Sequence, residues 1–142
     1  MGICVENRTH RRVDLQLSAG VAIMAGMLDR FVRKPAIHCF TRDVSVQGLK
    51  LLSDRPIPEG AAVKLWVTLP EAGTTEPLTL WGRVCWAAEQ TGGAGFLAGI
   101  RLEAKPERYV RVWQETIRER IRAQFRKAIP AEVATGWTVK TV

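Results

Sequence analysis

Apolar residues recur at every second position through most of this chain. Val13, Leu15, Leu17, Ala19, Val21 and Ile23 hold the period of a strand with one face in a core. Residues 25 to 35, bounded by Gly26 and Pro35, read as a turn or short irregular piece, and a second strand runs from Ala36 to about Asp43. After Gly48 comes a short strand, Leu49 to Leu52, and then Ser53 to Gly60, whose prolines and glycine exclude a regular element. Alternation is clearest in the next segment, where Ala61, Val63, Leu65, Val67 and Leu69 share one face and Lys64, Trp66 and Thr68 the other. Residues 70 to 77 fit a hairpin loop around Gly73. Leu78, Leu80, Gly82, Val84 and Trp86 continue one face of a fifth strand, which assigns Trp86 to the core, with Thr79, Trp81, Arg83 and Cys85 opposite. Ala87 to Gly95 is a loop and Phe96 to Leu102 a sixth strand. Six strands at hairpin spacing predict a mainly β fold, a small six-stranded antiparallel barrel that removes its sheet edges by closure.

Beyond Lys105-Pro106 the period changes to three or four. Val110, Trp113, Ile117, Ile121 and Phe125 define one face of a C-terminal α-helix, with Glu107 suited to its N-terminal end and Arg126 and Lys127 to its C-terminal end. This apolar stripe is expected to pack on the barrel or close one of its mouths. The predicted organisation is therefore a flexible N-terminal arginine arm over residues 1–12, a barrel plus helix over 13–127, and a tail over 128–142.

At 142 residues, with 46% hydrophobic and 25% charged, the chain suits one globular domain with its own core. The sequence contains no apolar run near the ~20 residues of a membrane-spanning helix, and Glu6, Arg8, Arg11 and Arg12 interrupt any signal-peptide pattern. A cytoplasmic location is expected. Cys4, Cys39 and Cys85 are odd in number and far apart, and are read as reduced thiols; His10 and His38 share no metal-ligand spacing with them, so no metal site is expected. Paired carboxylates, a nucleophile beside a base and a phosphate-binding loop are all missing from the pattern, so no catalytic residue is assigned and the chain is not read as an enzyme. The net charge of +7, with 15 of 21 basic residues being arginine, favours an anionic partner because guanidinium forks match phosphate oxygens bidentately.

Two motifs narrow that partner. Arg8 and Arg12 form R-x-x-x-R directly before the first strand, and Asp43, Ser45 and Gly48 form D-x-S-x-x-G between two strands. The arginine spacing alone carries nothing, since Arg118/Arg122 and Arg122/Arg126 repeat it along the helix, and a glycine-capped Ser turn would explain the second motif alone. Taken together and in order, followed by Gly82-Arg83-Val84-Cys85-Trp86 and Gly99-Ile100-Arg101-Leu102, they resemble the PilZ domain family of bacterial cyclic di-GMP receptors, over nearly the whole ordered chain.

The resemblance implies a PilZ-like barrel that binds cyclic di-GMP as a ligand, with no cofactor, through Arg8, Arg12, Asp43, Ser45 and Gly48. Arg8 and Arg12 would serve phosphate or the guanine O6/N7 edge, and Asp43 would accept from guanine N–H donors. Ser45 would bond ligand or turn, and Gly48 would supply backbone freedom or close ligand approach. Arg11 and Trp81 are possible secondary contacts. Asn7 stands where some family members carry another arginine, which disfavours a stacked ligand dimer. With no output module in the sequence, the domain is expected to order its arm on the ligand and signal in trans to a protein of a motility, exopolysaccharide or secretion system. Two alternatives stay open: a PilZ-type adaptor that no longer binds ligand, and a basic single-stranded nucleic-acid-binding barrel. The second lacks the interleaved aromatic and basic stripe such a surface requires, which disfavours nucleic acid.

Overall fold

The computed structural model describes residues 12–24, 35–70 and 76–128. Of the predicted arm it includes Arg12, and of the predicted tail Ala128. In chain order the elements are β1 (Val13–Asp14), β2 (Ser18–Met24), β3 (Ile37–Val44), β4 (Gly48–Ser53), β5 (Ala62–Val67), β6 (Leu78–Glu89), β7 (Phe96–Leu102) and α1 (Glu107–Ala128).

Both β1 and β2 pair antiparallel with β3, Val13 opposite Val44 and Ser18 opposite Phe40, so they are two halves of one interrupted strand. Thr41 holds the interruption. Its buried hydroxyl accepts from the Leu17 amide at 2.8 Å and donates to the Leu15 carbonyl. From there the pairing runs β2, β3, β4, β7, β6, β5 and back to β2, all antiparallel, which closes a six-stranded barrel. Closure gives the ladder N–H and C=O groups partners on both sides of each strand.

The inward positions of the alternating pattern fill the interior. Val21, Leu51, Val63, Leu65, Val67, Leu80 and Val84 are each at most 1% exposed, and full burial of such a side chain stabilises by ~1.5–3 kcal/mol. Val110, Trp113 and Ile117 of α1 join the same core and Ile121 packs against it. The buried stripe stops there: Phe125 is 54% exposed, as is Ile23 at 40% near the end of β2. No helix among the described residues is long and apolar enough to cross a membrane.

Two bulges break the alternation, and both change which way a side chain faces. In β3, Thr41 pairs with Leu51 and Asp43 with Lys50, so Arg42 is an extra residue. Thr41 points inward, Val44 also points inward, and Asp43 turns to the outer face. In β6, Val84 pairs with Ile100 and Trp86 with Gly99, so Cys85 is extra. The core assignment of Trp86 is therefore corrected. Its indole lies half-buried against Gly99 on the outside, and the strand continues to Glu89, through part of the predicted loop. A further correction concerns the thiols. Cys39 is free and buried, whereas Cys85, at the bulge rather than in a core-facing position, is disulfide-bonded and not a reduced thiol.

Candidate functional site

The turn between β3 and β4 is built from its own polar atoms. The Ser45 amide donates to the Gly48 carbonyl at 2.8 Å, and the Ser45 hydroxyl accepts from the amides of Gln47 and Gly48 at 3.3 and 3.2 Å. The Leu102 amide donates to the Gln47 carbonyl at 2.8 Å, and the buried Trp113 Nε1 donates to the Ser45 carbonyl at 3.0 Å. β7 and α1 thus clamp the turn from two sides. Ser45 is 5% exposed, and its hydroxyl serves the turn. Gly48 has no positive φ; a Cβ there would run into the Ile100 carbonyl of the neighbouring strand, so the glycine answers to close strand approach.

Asp43 stands beside this turn on the outer face, its side chain 15% exposed. Its Oδ1 meets Arg12 Nη1 at 3.1 Å and its Oδ2 meets Lys50 Nζ at 3.2 Å. The two motifs therefore meet in space, 31 residues apart in sequence. One cross-strand row carries the surroundings: Asp14 pairs with Asp43, Asp43 with Lys50, Lys50 with Gly99, and Gly99 with Trp86. Gly99 is needed under the indole, because a Cβ would overlap the ring.

These elements frame a shallow cleft. Arg12 forms one side and Ser45, Gln47 and Gly48 the floor of the turn, while Cys85, Trp86 and Arg101 come from β6 and β7. Such a surface offers guanidinium forks, a carboxylate and a flat aromatic face side by side, a set that suits a planar, anionic heterocycle.

Of the residues singled out from sequence, Arg12, Ser45 and Gly48 line the cleft and Asp43 bonds to Arg12 at its edge. Arg8 and Arg11 lie outside the described residues. Trp81 does not line it. That ring stacks on Tyr109 at 6.3 Å between centroids, under the Lys64 ammonium at 5.3 Å. Gln47, Arg101 and Lys50 are defining positions of neither motif, and Trp86, which offers a stacking surface, is assigned to the core by strict alternation. For Lys50 a signal existed: counting back from the turn, Val44 opposes Leu49 and Asp43 opposes Lys50. Among the described residues no group of three or more His, Cys, Asp and Glu is placed to hold a metal ion.

The family model for the PilZ domain matches residues 6–119. No match was found among curated proteins. Among solved structures the chain is similar to a tetrameric PilZ domain protein from Xanthomonas campestris, at 14% identity and TM-score 0.62, covering 84% of this chain and 92% of that one. It is similar to the PilZ domain of YcgR from Escherichia coli, solved with c-di-GMP, at 14% identity and TM-score 0.54 over 87% and 100% of the two chains. A third is the inhibitor of motility MotI/DgrA from Bacillus subtilis, at 14% identity and TM-score 0.57, covering 83% of this chain and 53% of that one. The chain thus spans about half the length of MotI. At such identities the likeness is one of fold.

Proposed function

The chain belongs to the PilZ domain family, and on that premise we propose that it is a receptor for cyclic di-GMP, acting without catalysis through the cleft between Arg12, the Asp43 to Gly48 turn and Trp86. One observation carries the reading: Arg12 and Asp43, a defining residue of each motif, meet at 3.1 Å beside an outward-facing indole. The ligand's phosphodiesters suit Arg12 and Arg101, its guanine donors suit the Asp43 carboxylate, and a guanine face suits Trp86. Each hydrogen bond to a charged group is worth ~1.5–3 kcal/mol. That the YcgR PilZ domain was solved with c-di-GMP supports the choice of ligand.

In this reading Arg8, with Arg11 as a secondary contact, closes the remaining side of the ligand, and residues 1–12 become ordered on it. The changed surface then engages a protein partner in trans. Ser45 and Gly48 act by holding the turn, and Trp81 takes no part.

Titration calorimetry of the purified chain with cyclic di-GMP, GTP and a short single-stranded oligonucleotide tests it. Binding of the cyclic dinucleotide well ahead of the other two is expected. Absence of binding leaves the adaptor that has lost its ligand, and preference for the oligonucleotide leaves the nucleic-acid barrel; either overturns the receptor reading.

A further inference from the structure

Lys50 belongs to neither motif, yet it is the second cation on the Asp43 carboxylate. Its ammonium sits 3.2 Å from Oδ2 while Arg12 takes Oδ1, and its side chain is 31% exposed. The contact is fixed by register, since Asp43 and Lys50 are direct cross-strand partners; the bulge at Arg42 turns Asp43 to the outer face, where the regular alternation of β4 already places Lys50. Lys50 also offsets, together with Arg12, the repulsion between Asp43 and Asp14, which oppose each other across β3 and β1.

We infer that Lys50 is a positioning residue for cyclic di-GMP, acting through Asp43; the inference rests on the receptor reading above. Two physical effects point the same way. A carboxylate oxygen has two lone pairs, so an Oδ2 held by Lys50 keeps one for a guanine donor while its plane stays fixed. Moreover, a carboxylate shared between two cations binds each less tightly than it would bind one. Lys50 therefore loosens the Asp43 hold on Arg12, so that a phosphate of the ligand competes with a weaker pair. Without Lys50, Arg12 would be the main partner of Asp43, and the ligand would have to break that pair outright. The pair lies on the outer face of the barrel, where an ion pair adds little to the stability of the fold.

A double-mutant cycle on the full chain tests this, with cyclic di-GMP affinity measured for the parent, Lys50→Met, Asp43→Ala and the double variant, and melting temperature recorded on the same samples. Lys50→Met is expected to weaken binding about tenfold in the parent and less than threefold when Asp43 is already alanine, with the melting temperature nearly unchanged. Lys50→Arg, which keeps a cation opposite Asp43, should recover most of the loss. An equal loss in both backgrounds would mean that Lys50 attracts the ligand by charge alone, and no loss would mean that it serves only to offset Asp14 and Asp43; each overturns the inference. If the parent itself binds no cyclic di-GMP, the receptor reading fails first and the inference falls with it, a result distinct from either of these.

Discussion

Two glycines of the site show how one residue type answers to two different neighbours. At Gly48 the obstacle to a side chain is the Ile100 carbonyl, part of a paired backbone that cannot give way without breaking the β4 to β7 ladder. At Gly99 the obstacle is the Trp86 indole, which can swing outward. Gly48→Ala should therefore cost stability, ~1–3 kcal/mol as for other forced overpacking, read from urea denaturation. Gly99→Ala should leave the urea midpoint nearly in place but unseat the aromatic platform. Cyclic di-GMP affinity is then expected to fall about tenfold, or roughly 1.4 kcal/mol. A stable Gly48→Ala protein, or a Gly99→Ala protein with full affinity, would contradict these assignments. Neither role was legible in the sequence. D-x-S-x-x-G marks the glycine of the turn, but only the strand register reveals that its constraint is a neighbouring carbonyl.

At the scale of elements, the strands and the helix were readable because burial on one face imposes a period, and the period survives in the order of residues. The bulges were not. An extra residue at Arg42 or Cys85 is invisible to a pattern of alternation, because it depends on how the partner strand pairs. Strict alternation places Asp43 inward with Thr41 and Trp86 inward with Val84; the bulges reverse both. The irregularities that defeat the sequence pattern are the ones that assemble the cleft. Helix α1 completes the arrangement, with Trp113 Nε1 bonded to the Ser45 carbonyl and Gln124 Nε2 bonded to the Asp14 carbonyl at 3.2 Å. One helix thus supports both the motif turn and the short strand that follows Arg12. Trp113→Phe keeps an aromatic ring in the core but leaves the buried Ser45 carbonyl without this donor, at ~1–3 kcal/mol for an unsatisfied group. Its urea midpoint should drop, and ligand affinity in the folded fraction should drop with it. Lost stability with intact affinity would show that the helix supports the barrel but not the site.

At the scale of the molecule, the closed barrel and its terminal helix followed from six alternating segments and one change of period, and the family from motif order. The state of the interior could not be read that way, and Cys39 reports on it. This thiol is 3% exposed on β3 and donates to the Ala19 carbonyl at 3.6 Å across the barrel wall. Burial disfavours the thiolate and pushes the pKa up to about 12 from 9.0. Between those values the unfolded chain has released a proton that the folded barrel still holds. The folded state therefore binds more protons, and stability falls as pH rises. The contribution is fully present below pH 9.0 and is lost progressively toward about 12. Urea midpoints measured from pH 8 to pH 10 should decline more steeply for the parent than for Cys39→Ala. The difference between the two proteins isolates this thiol from everything else they share. In the parent, alkylation of Cys39 at pH 8.5 should proceed only as fast as the barrel opens, and should slow when cyclic di-GMP is added, because a ligand that binds the folded state lowers the population of the open one. Parallel midpoint curves for the two proteins would show that the barrel wall around Cys39 admits water.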